Sequence, residues 1–97
     1  MEFLVTSTLA LPAGLPPDER EELLRLEGER GRQLRDRGAI ARIWRLRDRP
    51  ASVAIWRATD REELDELLAS LPVARWLSVE VEALAPHYLE HHRDGSD

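Results

Sequence analysis

The residues able to do chemistry in this chain are few, and what is missing narrows the choice. There is no cysteine and no lysine, and all 14 basic residues are arginine. Thiolate nucleophiles, disulfides, cysteine-held metals and lysine Schiff bases are therefore excluded. A lysine general base is likewise excluded. Anion binding is left to guanidinium, which grips a carboxylate through two parallel hydrogen bonds. One carboxylate stands out by position. In a helix starting near Asp18 and turning about 100° per residue, Glu27 falls about 40° from Leu23, inside the stripe that Leu23, Leu24, Leu26 and Leu34 define. A glutamate there is either the ion-pair partner of Arg30 or of a strand arginine, or a general base whose pKa is raised by burial. Gly28 and Gly31 lie beside it, each costing the helix about 1 kcal/mol relative to alanine. Small residues there leave room next to the carboxylate.

Other groups carry weaker signals. His87 and His91 have the i,i+4 spacing of metal ligands. Their segment, with His92, reads as a tail and no acidic ligand is fixed near it, so no metal is expected. Trp44, Trp56 and Trp76 read as core or interface ahead of ligand walls. Arg42, Arg45, Arg47, Arg49 and Arg57 read mostly as solvated strand ends or ion-pair partners.

These residues need elements to position them. Residues 2–11 alternate, with Phe3, Val5, Ser7, Leu9 and Leu11 on one side, and read as a strand. A Pro-rich loop follows. Asp18, Glu19, Glu21 and Glu22 then put negative charge at a helix start, where the dipole favours it, and Gly38 supplies the stop. Residues 39–47 and 51–58 read as two strands around a turn at Asp48-Arg49-Pro50. Thr59 and Glu62 have the spacing of a capping box. They precede a helix with Leu64, Leu67, Leu68 and Leu71 on one face, ended by Pro72. Residues 77–85 alternate again. The order β-α-β-β-α-β is the split βαβ, or ferredoxin-like, arrangement of an α+β domain. It predicts a four-stranded antiparallel sheet with both helices on one face. The other face is too apolar for water and predicts a partner sheet.

The 97 residues suffice for one domain, and the net charge of −5 argues against nucleic acid or anionic membrane as partner. The chain has neither an 18-residue apolar run nor a signal-peptide layout, so a cytoplasmic location is expected.

From Met1 to about Tyr88 the chain resembles the muconolactone isomerase family. The matching stretches are Phe3-x-Val5, Leu11-Pro12, Glu27-x-Glu29, Leu34 with Gly38, Trp44-Arg45, Leu71-Pro72, Glu80-Val81, Leu84 and His87. The resemblance implies a single domain over residues 1–88, with 89–97 as a flexible polar tail. It implies sheets paired into a dimeric α+β barrel, and five such dimers in a decamer. The implied activity is a cofactor-free isomerisation in aromatic degradation by the 3-oxoadipate route. Muconolactone, a butenolide with a carboxymethyl arm, loses its C4 proton and regains one at C2, giving 3-oxoadipate enol-lactone. On this resemblance Glu27 is the candidate base, Arg45 the candidate anchor for the substrate carboxylate, and Trp44 a pocket wall. Arg42, Ser52 and His87 are further substrate-side candidates. Leu4, Thr6, Pro50 and Ser52 stand where members carry histidine, lysine, tyrosine and asparagine, and Arg42 replaces a histidine. Pro50 and Ser52 fall in the expected pocket, so three readings stay open. They are an isomerase of a muconolactone-like lactone, a related cofactor-free barrel enzyme (cyclase or oxygenase) on an aromatic intermediate, and a non-catalytic binding module.

Overall fold

A computed structural model describes residues 1–92, with side chains through residue 90; residues 93–97 lie outside it. The elements are β1 (Glu2–Leu9), α1 (Pro17–Asp36), β2 (Ile40–Arg45), β3 (Ala51–Arg57), α2 (Arg61–Ala69), β4 (Leu77–Leu84) and α3 (Tyr88–His92). A single 3-10 turn, Ala74–Trp76, leads into β4. The four strands form one antiparallel sheet in the order β2-β3-β1-β4. This is the ferredoxin-like α+β arrangement expected from the sequence. Part of the expected tail is thus a short helical turn, and the rest of it falls outside the described residues.

The core lies between the sheet and the helices. Phe3 and Val5 of β1 face Trp56 and Ala54 of β3 in register, and all four are buried. Leu64, Leu67 and Leu68 of α2 cover them, with Leu71 just beyond and Leu34 from α1. Leu34 and Leu64 are completely buried. Each such side chain contributes about 1.5–3 kcal/mol by leaving water.

The two helices pack differently. The α2 stripe is buried as its spacing predicts. In α1 only Leu34 is buried, while Leu24 and Leu26 remain about 40 % exposed. The C-terminal half of α1 is tied down: Arg30 donates to Ser70 Oγ, and Arg35 Nη1 donates to the carbonyl of Ala41 at 2.8 Å. The helix ends where expected, with Gly38 at φ 82°, a left-handed conformation that glycine adopts without strain.

The Ala41 carbonyl marks an irregularity. Ile40 pairs with Trp56, yet Arg42 pairs with Ile55, so Ala41 is an extra residue in β2. In an uninterrupted strand Ile40, Arg42 and Trp44 would share one face. The bulge instead puts Ile40, Ile43 and Arg45 on the helix side and sends Arg42 and Trp44 to the opposite side.

The start of α2 differs from its expected capping box by one residue. The cap is Asp60, whose side chain accepts from the Glu63 N–H at 2.8 Å, and Glu63 in turn accepts from the backbone N–H and hydroxyl of Thr59. Thr59 and Glu62 have the right spacing, but Asp60 and Glu63 have it too, and the Asp60 carboxylate takes the cap. Asp60→Ala should lower stability by about 1 kcal/mol, seen as a lower melting temperature. Thr59→Ala should lower it less, because the Thr59 N–H still reaches Glu63.

Candidate active site

α1 is tied down through Arg30, Leu34 and Arg35, and a gap remains between the sheet and the face of α1 that carries Arg20, Glu27 and Gly31. The gap is a cavity of about 440 Å³. Arg20, Glu27 and Gly31 line it from α1, and Ile43 and Arg45 from β2. The central strands supply Ser7, Ser52 and Ala54, and the segment between α2 and β4 supplies Leu71 and Val73. The walls are mostly apolar, with a small set of polar groups converging on them, as in small-molecule sites generally.

Glu27 is half-buried in this cavity and accepts a hydrogen bond from the Val73 N–H, 3.3 Å from Oε1. The expected alternative, an ion pair with Arg30 or a strand arginine, is not formed. Arg30 bonds to Ser70 and Gln33, and Glu27 has no ion pair among the described residues. Burial raises the Glu27 pKa above the ordinary glutamate value, and the single Val73 bond offsets it only in part. Gly31 opens the space beside the carboxylate: a Cβ there would meet nothing within 4 Å. A Cβ at Gly28 would face Arg32, and Gly28 does not line the cavity.

The cavity floor carries a hydroxyl pair. Ser7 and Ser52 are cross-strand partners with Oγ atoms 3.0 Å apart. Ser52 also stands opposite Arg45. Glu27, Arg45 and Ser52 are therefore brought together as expected. Trp44, Arg42 and His87 are not. Trp44 and Arg42 lie on the other face of the sheet, where the Arg42 guanidinium sits 5.0 Å from the Trp44 ring centroid. Adjacent strand residues point to opposite faces, so Trp44 and Arg45 cannot both reach the cavity of one chain. His87 precedes α3, where its Nδ1 accepts from the Leu89 N–H at 3.1 Å and its ring meets Tyr88. Pro50 lines the cavity, as expected.

Arg20 was not singled out from the sequence. The signal was present: at the same turn per residue it lies about 20° from Glu27 on α1. It sits among acids at the exposed helix start and so reads as a solvated residue. Among the described residues, no group of three His, Asp or Glu side chains is gathered that could hold a metal.

Fold and site together define a class: a ferredoxin-like α+β domain with a half-buried carboxylate in a mostly apolar cavity flanked by arginines. The comparisons specify it further. The family model for muconolactone delta-isomerase matches residues 1–90, and the chain belongs to that family. It is 28 % identical over 94 residues to the muconolactone delta-isomerase of Pseudomonas aeruginosa, covering 97 % of this chain and 98 % of that one. It is 29 % identical over 87 residues to the Acinetobacter baylyi enzyme of the same name, covering 90 % and 91 %. A crystal structure of muconolactone isomerase superposes with a TM-score of 0.84 at 28 % identity, covering 90 % of this chain and 91 % of the other.

Burial makes the stability contributed by Glu27 depend on pH. Its folded pKa is raised, so the ionised form is the one the fold disfavours. Its contribution to stability is greatest below the unfolded pKa and is lost as pH rises through the folded value. Glu27→Gln keeps an oxygen for the Val73 N–H and removes the buried charge. Its melting temperature at pH 7 should equal or exceed that of the wild type, and carbon-detected NMR should place the Glu27 titration above the ordinary value near 4.5. A large drop in melting temperature would mean that Glu27 is held by a cation after all.

Proposed function

We propose that the chain is a cofactor-free isomerase that moves the ring double bond of a muconolactone-like butenolide by a 1,3-proton shift. The observation that carries this reading is Glu27: half-buried, unpaired with any cation among the described residues, and beside a cavity large enough for a small lactone acid. Its raised pKa suits a base that must also return the proton. The Glu27 carboxylate takes the proton at C4, and the electrons delocalise through the ring to the lactone carbonyl oxygen as a furanolate. The protonated Glu27 then delivers the proton to C2, which restores the carboxylate and leaves the enol-lactone. Arg45 anchors the carboxymethyl arm through its forked donors. The Ser7–Ser52 pair offers hydroxyls to the same small molecule. The absence of an ion pair on Glu27 disfavours the binding-module reading, in which this carboxylate would be locked in a salt bridge.

The working unit is at least a dimer, formed by the sheet face that the helices leave bare. By register that face carries Leu4, Thr6, Val53 and Ile55 on the central strands, with Trp44 beside Val53 on β2. Arg42 lies on its β2 edge, and Glu80 and Glu82 on its β4 edge. A two-fold axis running along the strands lays the basic edge of one copy over the acidic edge of the other and buries the apolar centre between them. Sedimentation at micromolar concentration should therefore give a species of at least twice the 11.1 kDa chain mass. One species at the chain mass would remove this assembly.

The chemistry is tested by proton exchange and turnover of muconolactone in D2O, followed by NMR. Glu27→Gln should lower kcat on the order of 10²–10⁴-fold with substrate still bound. Arg45→Ala should act mainly by raising KM. The wild-type rate should fall on acidification through the raised Glu27 pKa, because the ionised carboxylate is the active form. A fully active Glu27→Gln protein would remove the mechanism.

A further inference from the structure

Resting on the reading of this cavity as an acid-binding site, we propose that Arg20 is its second ligand-binding cation. The site then takes a small molecule with two oxygen-bearing ends: a dicarboxylate, or a lactone acid whose ring carbonyl serves as the second end.

Several of the arginines are already occupied. Arg25 is bound by Glu22 and Glu29, Arg30 by Ser70 and Gln33, Arg57 by Glu2, and Arg61 by Asp65. Arg20 and Arg45 have no such partner among the described residues, and both line the cavity that holds Glu27. Arg20 is free although Asp18, Glu19, Glu21 and Glu22 surround it in sequence. Its place also adds nothing to the helix, since a cation in the first turn opposes the macrodipole. Its backbone is fixed nonetheless. Pro17 opens α1 with a preset φ, and the Arg20 N–H donates to the Pro16 carbonyl at 2.9 Å. Two helical turns separate Arg20 from Glu27 on one face of α1, while Arg45 comes from the sheet below.

The cavity thus holds two guanidinium groups and one carboxylate, and the carboxylate is bonded to neither. A ligand with a single acid group engages one guanidinium and leaves the other to solvent. A ligand with an acceptor at each end satisfies both and leaves Glu27 free to act on the carbons between them. In a lactone acid the carbonyl that Arg20 would hold is the oxygen on which charge collects when the proton leaves.

Calorimetric titration of the full chain with adipate and with hexanoate separates the cases. The two probes share six carbons and differ in the second carboxylate. The wild type should bind adipate more tightly. Arg20→Gln should weaken adipate binding by about tenfold and leave hexanoate nearly unchanged, so that the preference disappears. Arg37→Gln makes the same charge change outside this cavity and should keep the preference. A wild type that binds neither acid or shows no preference overturns the proposal. So does an Arg20→Gln protein that retains the preference, or an equal loss in Arg37→Gln. Proton exchange on muconolactone, run in parallel, keeps the two readings apart. Loss of the adipate preference in Arg20→Gln alongside a wild type that exchanges nothing upholds Arg20 and removes the isomerase. Exchange by a wild type whose Arg20→Gln variant keeps both the preference and KM removes Arg20 alone.

Discussion

The architecture of the site depends on α1 being fastened at one end. A 20-residue helix is about 30 Å long, and this one buries a single leucine, Leu34, near its C-terminus. Arg30 and Arg35 fasten the same half to Ser70 and to the Ala41 carbonyl. Had the N-terminal half carried a stripe like that of α2, close packing would have drawn it onto the sheet and filled the space below. Instead the face of α1 that runs from Arg20 through Glu27 to Gly31 borders the space. Part of the apolar burial that a helix of this length could supply is given up, and a cavity is kept in return.

The same helix shows how environment divides the work among identical side chains. Glu22 is exposed and bonded to Arg25, and the Arg25 guanidinium pulls its pKa down. Glu27, little more than one turn further on, meets apolar walls and one backbone N–H, and its pKa moves up. The first is a fixed charge that stiffens the helix surface. The second is a group whose charged form its surroundings disfavour. Nothing in the glutamate itself separates the two; position relative to the sheet does.

Much of this was legible in the sequence because it follows from local periodicity. The element order, the sheet with helices on one face and the stripe of α2 all come from spacing of two and of three to four residues. So does Glu27 as the carboxylate that does not fit its helix. What was not legible depends on contacts between elements. Trp44 and Arg45 are consecutive, so a resemblance could assign both to a pocket while the pleat allows only one. The clue to the bulge is two isoleucines, Ile40 and Ile43, an odd number of residues apart in a strand. It becomes decisive only once β3 supplies the register. Arg20 was hidden by its acidic neighbours, which suggest a solvated helix start. The cap moved from Thr59 to Asp60 because two overlapping residue pairs fit the same spacing and the backbone entering α2 chose between them.

The extra residue in β2 has a consequence for the length of the chain. Strand faces follow parity, so losing one residue from a regular strand such as β3 turns over whatever follows it. Ala41 is exempt. With it gone, Ile40, Ile43 and Arg45 would still fall on the helix side and Arg42 and Trp44 on the other, in an unbroken ladder. The strand therefore contains a position of neutral length, and the residue there serves the twist of the strand and the reach of Arg35. Its side-chain alternation is independent of that residue.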